Sequence, residues 1–249
     1  VELSSHVISF HRGYNLYNVG FAGGILGFAY FSIFKLLNIE YTTNLIYTND
    51  QHLLLLYLFI VICLFFIITG IIINQKPLKD YLKIIKTSGR AVTDFTRKDN
   101  QPLTMINIGI TGLAALLILL ILNVHMNGPV FGGLLTIIGF SAFGKHPRNV
   151  LPPMIGVLLV SIIFNIELSV PVVLAIIFST ALAPIAGEHG FIIGILSGML
   201  HLPIVLSIGQ LHGGVLLYSN GFAAAFTAVI FITVIHTFER SNINGTTRI

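Results

Sequence analysis

Long apolar runs, broken by short polar stretches, set the character of this chain. A helix needs roughly 20 apolar residues to cross a bilayer. Eight segments approach or reach that length: 14–37, 52–74, 102–126, 128–143, 150–168, 170–186, 190–208 and 214–238. The second is the clearest, with LLLLYLFIVICLFFIITGIII free of charge. The fourth is short and Gly-rich, Pro152 and Pro153 stand near the start of the fifth, and Pro203 interrupts the seventh. The pattern predicts an all-α, polytopic helical membrane protein of about eight hydrophobic segments.

The hydrophilic exception is QKPLKDYLKIIKTSGRAVTDFTRKDNQ, residues 75–101. Lys79, Lys83, Lys86 and Arg90 recur at helical spacing, with Leu78, Leu82 and Ile85 opposite. This predicts a short amphipathic helix at the membrane surface. The Lys/Arg bias puts that stretch in the cytoplasm. Arg12, the group Lys145, His146 and Arg148, and the C-terminus with Glu239 and Arg240 then share its side. The Glu40/Asp50 loop lies opposite.

Composition sharpens the class. Of 249 residues, 55% are hydrophobic and 9% charged, against about 25% charged in soluble domains, too few to solvate a globular surface. The formal net charge of +4 is explained by membrane topology, and nucleic acid is excluded as a partner. The single cysteine, Cys63, lies inside an apolar run, where it excludes an internal disulfide and offers no metal cluster.

One phrase is written twice. HRGYNLYNVGFA from His11 and HGGVLLYSNGFA from His212 align without a gap. His11/His212, Gly13/Gly214, Leu16/Leu217, Tyr17/Tyr218, Gly20/Gly221, Phe21/Phe222 and Ala22/Ala223 are identical. Such self-similarity marks an internal repeat. With an odd number of spans between the copies, the repeats are expected to be inverted, as in many secondary transporters. The chain divides into residues 1–51, the tail of a first membrane repeat; 52–101, a joining helix with its basic loop; and 102–249, a second repeat. The first residue is Val1 and little precedes the first phrase, so the first repeat reads as truncated.

Irregular backbone inside a membrane is tolerated only where it is buried or lines a cavity. Three stretches are expected to be irregular: 127–149, 181–194 and 199–214. Glycines at 13, 20, 23, 24 and 27 carry the spacing of close helix packing. Ionisable groups within spans are functional candidates. The expected path for a small polar solute or ion is therefore lined by His11, Asn15, Asn18, His201, His212, Tyr218 and Asn220. Gly128, Gly132, Gly133, Gly213 and Gly214 supply backbone donors at helix ends, and Glu188 and His189 bind a proton or cation.

The rival function is an intramembrane metal enzyme using Glu188, His189, His201 and His212. No H-E-x-x-H, C-x-x-C, phosphate loop or nucleophile elbow supports it, and no cofactor or metal is expected. A structural or sensory membrane component is the third alternative. The chain resembles a bacterial multi-spanning membrane family of unknown function with a duplicated region, through YNVGFAGG, GFSAFGKHPRN and LHGGVLLYSNGFAAAF. The resemblance implies a multi-pass inner-membrane protein and supplies no substrate. The expected partners are the lipid bilayer and the solute, with a homo-oligomer left open.

Overall fold

The computed structural model describes residues 2–40, 46–75, 78–90, 93–98, 101–211 and 220–246. All regular structure among them is helical. In chain order the helices are α1 (Glu2–His6), α2 (Asn18–Leu36), α3 (His52–Ile73), α4 (Tyr81–Lys86), α5 (Phe95–Lys98), α6 (Gln101–Ile121), α7 (Gly128–Phe140) and α8 (Pro147–Ile163). They continue with α9 (Val170–Phe178), α10 (Ala183–His189), α11 (Phe191–Leu211) and α12 (Asn220–Thr246). A 3-10 turn, Ser179–Leu182, joins α9 to α10.

Six helical units are long and apolar enough to cross a membrane: α2, α3, α6, the Val170–His189 unit, α11 and Asn220–Phe238 of α12. The count differs from the expected eight because α7 and α8 are short. Their 13 and 17 residues rise about 20 and 26 Å, below the ~30 Å hydrocarbon thickness. The Val170–His189 unit is the centre of the bundle, 89% buried, whereas α3 is 17% buried and presents a nearly complete apolar circumference outward. That contrast explains two kinds of apolar run in one sequence, one filling the protein interior and one suited to lipid.

Glycines set the closest helix contacts. On α3 and α6, a Cβ at Gly70 would meet Ile106 Cγ1 at 2.8 Å, and one at Gly112 would meet Cys63 Sγ at 2.6 Å. Cys63 is thus a packed core residue. Helices α8 and α11 run side by side in one direction, since Pro152 faces Gly194 and Gly156 faces Gly198.

Three expectations about breaks need correction. Pro203 does not interrupt its helix: α11 is continuous from Phe191 to Leu211, and the Pro203 carbonyl accepts from Ser207 Oγ at 2.8 Å. The first long helix starts at Asn18, not at residue 14, so the phrase from Arg12 to Tyr17 is non-helical. The short amphipathic helix expected within 75–101 is a 3-10 turn running into α4, with α5 further along, but its buried face differs from the expected Leu78, Leu82 and Ile85. There Ile84 is the fully buried position while Leu78 and Leu82 stay exposed beside Lys79 and Lys83.

The two ends of the bundle differ. The basic end carries Arg90 on Glu188 and on the Arg12 carbonyl, Arg148 near the Ile85 carbonyl, and the pairs Lys83–Asp80 and Arg97–Asp94. At the far end, His52 Nδ1 accepts from Met126 N at 2.8 Å and stacks near His125, centroids 5.0 Å apart. A cavity of about 350 Å³ there is bordered by Tyr47, Asn49, His125, Asn127 and Glu167.

Candidate functional site

The first copy of the duplicated phrase folds as an irregular strap inside the protein. Arg12 and Gly13 take positive φ, 52° and 81°, and turn the chain inward. Tyr14, Asn15, Leu16 and Tyr17 are then buried without helical hydrogen bonding, so each polar group needs another partner. Leu16 N–H donates to the Ala181 carbonyl at 3.0 Å, inside the 3-10 turn between α9 and α10. Asn15 Nδ2 donates to Gly221 O at 3.1 Å, and Asn15 Oδ1 accepts from Tyr17 N at 3.0 Å. One asparagine thereby fastens the start of α2 to the start of α12. Gly20 and Gly221, positions paired by the sequence repeat, abut: a Cβ on Gly20 would lie 3.2 Å from Gly221 Cα. Phe21 and Phe222, the next pair, stack with centroids 5.7 Å apart.

Lys145 is the unexpected member. It lies in the turn between α7 and α8, held by Asn107 Nδ2, which donates to both Ser141 O and Lys145 O at 2.7 Å. Its side chain is wholly buried. Lys145 Nζ donates to Tyr17 Oη, and to Thr180 Oγ1 at 2.8 Å. Thr180 gives its own proton to Ile177 O at 2.7 Å. It therefore accepts from Tyr17, whose hydroxyl is 3.2 Å away, and Tyr17 Oη accepts from the lysine. Two protons of the Lys145 amine are placed this way. Among the described residues no ion pair includes Lys145. Nζ sits 4.2 Å from the Tyr17 ring centroid and 5.3 Å from that of Phe140, within the range of cation–π attraction. Thr180 is near the middle of the 20-residue Val170–His189 unit, so the Lys145 amine lies at mid-span.

Next to this group is a cavity of about 210 Å³, walled by Tyr17, Val19, Thr136, Phe140 and Phe178, with Gly20 and Gly221 at its edge. A second, of about 140 Å³, opens between Asn15, Asn18, Phe140 and Phe143. Further polar side chains are buried near the starts of α2 and α12. His201 Nδ1 is 3.4 Å from Thr227 Oγ1. Among the described residues, His11 Nε2, Asn18 Oδ1, His201 Nε2 and Asn220 Oδ1 are buried without a hydrogen-bond partner. They fall in two neighbouring pairs, His11 with Asn18 and His201 with Asn220, one pair at the start of each helix.

The basic end is closed over this site by residues 87–90. Gly89 has φ +71° and Gly144 φ +104°, and each would drive a Cβ into the other's backbone. A Cβ on Gly187 would likewise strike Ser88. Arg90 binds Glu188 Oε1 at 3.0 Å and the Arg12 carbonyl at 3.1 Å, and lies 4.2 Å over the Tyr14 ring. Because this ion pair is about one-third exposed, Arg90→Ala is expected to cost only about 1 kcal/mol of stability. Limited proteolysis should nevertheless cut residues 87–98 faster in the variant. An unchanged cleavage rate would show that backbone packing alone holds the segment.

Of the residues expected to line a path, the structure gathers His11, Asn15, Asn18, His201 and Asn220 near the starts of α2 and α12. His212, Gly213, Gly214 and Tyr218 lie outside the described residues. Glu188 and His189 are at the basic end: Glu188 is engaged by Arg90 and by Tyr14 Oη at 2.7 Å, and His189 stacks on Tyr14 at 5.8 Å. Gly128 begins α7 at the far end, about 20 Å along that helix from Phe140. Its neighbour Gly133 is a packing residue whose Cβ would meet Ile177 Cγ2 at 2.9 Å. Among the described residues no three of His, Cys, Asp and Glu come together. His201 faces Thr227 while Glu188 faces Arg90, so these two members of the metal-enzyme alternative point to different neighbours.

Sequence reasoning missed Lys145, Tyr17 and Thr180 as a group. Lys145 stands in KHPR beside an arginine and resembled a topology charge. The available signal was its place directly after the Gly-rich GFSAFG, a stretch already expected to be irregular.

The family described as "Protein of unknown function (DUF1576)" matches over residues 1–36 and 53–237, and the chain belongs to that family. No curated protein and no solved structure matches it.

Proposed function

We propose that this family member carries a small polar solute or ion across a bacterial inner membrane, along a path between two related blocks. The observation that carries the proposal is the buried Lys145 amine at mid-span, beside a cavity where the starts of α2 and α12 meet. An ionisable group at that depth is costly and belongs, by default, to a pathway or a binding site. The 3-10 interruption at Ser179–Leu182 adds the discontinuous helix on which transporter sites are commonly built. The contacts Gly20–Gly221 and Phe21–Phe222 support related blocks, since residues that touch their own equivalents do so on a two-fold axis. The basic end is assigned to the cytoplasm by its Lys/Arg excess, and the apolar faces of α2 and α3 to lipid.

The test is stopped-flow light scattering on proteoliposomes challenged with a panel of small neutral solutes and salts. At least one solute is expected to enter well above the rate of empty vesicles, and Lys145→Met is expected to abolish that excess. Permeation equal to empty vesicles for every solute would overturn the proposal.

A further inference from the structure

We infer that α4 and the 3-10 turn before it bind anionic phospholipid, with the leucines of the segment at the acyl-chain boundary and its lysines on the headgroup phosphates. The inference goes beyond the transport reading and holds whether or not a solute is carried.

Depth is the first reason. Tyr81 Oη donates to Asn107 Oδ1 at 3.1 Å, and Ile84 is buried with Phe95, Leu103 and Ile106. Asn107 stands in the second turn of α6, about 9 Å along that helix, so α4 lies against the start of α6. The end of α3 reaches the same level, since a Cβ on Gly70 would meet Ile106 N at 3.0 Å. Beyond Gly70, the side chains of Ile71, Ile72 and Ile73 are exposed on the helix whose apolar circumference suits lipid. The segment therefore sits where hydrocarbon gives way to headgroups.

The faces of the segment are the second reason. Ile84 and Tyr81 are turned toward α6, which leaves Leu78 and Leu82 58% and 55% exposed. These two leucines are four residues apart and share a stripe. Lys79, Lys83 and Lys86, all exposed, form the stripe beside it. An apolar stripe uncovered by protein, at the level of the α3 end and bordered by long cationic side chains, is the arrangement of an interfacial helix. Lysine stems lie along hydrocarbon while their ammonium groups reach the phosphates.

Charge selects the headgroup. Arg148 adds a fourth exposed cation, with Nη1 3.5 Å from the Ile85 carbonyl. Asp80 offsets one of the four through its 3.2 Å pair with Lys83, a side chain still 70% exposed. Glu188 and Asp94 are engaged by Arg90 and Arg97. Among the described residues this surface keeps an excess of positive charge. A zwitterionic headgroup neutralises its own phosphate, whereas an anionic one does not. Each Lys or Arg close to an anionic surface strengthens binding about five-fold.

The test uses fluorescence, because the chain contains no tryptophan. Leu82→Trp puts a single fluorophore at an exposed position of the full chain. The protein is reconstituted in mixtures of phosphatidylcholine and phosphatidylglycerol, with acyl-chain bromine on one lipid or the other. Quenching then gives the relative affinity of the two lipids at that position. Phosphatidylglycerol is expected to be favoured at least about five-fold at low salt. The preference should fall within about two-fold in 1 M salt, where the screening length is about 3 Å. Lys79→Gln, Lys83→Gln and Lys86→Gln together should remove most of it without added salt. Leu54→Trp, exposed at the opposite end of α3, should show no preference. Equal quenching by the two lipids at position 82, a preference that salt leaves intact, or the same preference at position 54 would each overturn the inference. Quenching by neither lipid would overturn it too, placing the leucine stripe in water or against another protein. The salt titration keeps all three lysines, so it decides the matter even if the triple variant misfolds.

Discussion

Gly198→Ala will destabilise the protein by about 2 kcal/mol, and Gly198→Leu will prevent assembly of the bundle. The β-carbon of residue 198 would enter the space of the Pro153 carbonyl, with the Pro153 Cα at 2.8 Å. Across the same contact, a Cβ on Gly156 would meet the Ile195 carbonyl, Met199 N at 2.8 Å and Gly198 Cα at 2.9 Å. Every obstructing atom is backbone, so no rotamer change relieves it and two helices must move apart. Overpacking of this kind costs about 1–3 kcal/mol or more, and the roughly 1 kcal/mol that alanine gains over glycine in a helix offsets only part of it. Equilibrium unfolding in mixed micelles measures the loss. Wild-type stability in Gly198→Ala would mean that α8 and α11 do not approach this closely.

Acid will loosen the basic end through His146. Its ring is buried at the start of α8, and Nε2–H donates to Thr87 O at 3.0 Å. Burial holds its pKa down, from 6.5 to about 4, with the nearby Arg148 charge acting in the same direction and the Thr87 bond opposing. Protonation would add a second N–H at Nδ1, an atom buried without a partner among the described residues. The sign follows from linkage. The folded pKa is the lower one, so the unfolded chain binds the proton more readily. Stability is complete above pH 6.5 and falls as pH drops toward 4, by roughly 3 kcal/mol in all. His146→Gln keeps a donor for Thr87 and removes the titration. Melting temperatures of the two proteins should therefore diverge between pH 6.5 and 4, the wild type falling further. Parallel curves would show that the His146 ring is solvated rather than buried.

Much of the fold was legible because a run such as 52–74 has only one cheap solution in a bilayer, a helix. The burial of His11, Asn15, Asn18 and Asn220 was hinted at for another reason, since they lie in a repeated polar phrase within an apolar chain. Breaks were read less well. Pro203 looked like an interruption, yet a proline removes only one hydrogen bond, and the helix continues around it. The interruption at Ser179–Leu182 lies in IIFSTALA, ahead of Pro184, and depends on the Arg12–Tyr17 strap lying beside it to take the Ala181 carbonyl. Lys145 was read as a surface charge because sequence shows charge but not depth. Only the packing of α7, α8 and the Val170–His189 unit carries it inside.

Lys145 also has a bearing on membrane voltage. Its Nζ bonds Thr180, near the midpoint of the Val170–His189 unit, so a charge exchanged at that site crosses about half of the field. One elementary charge moved through the full potential is worth about 2.3 kcal/mol per 100 mV, hence roughly 1 kcal/mol to mid-depth. A negative interior would favour entry of an anion from the cytoplasmic mouth and oppose entry from the far side, each by about half of what a full crossing involves. Occupancy of the site would then change several-fold when the membrane is depolarised, even if no helix moves.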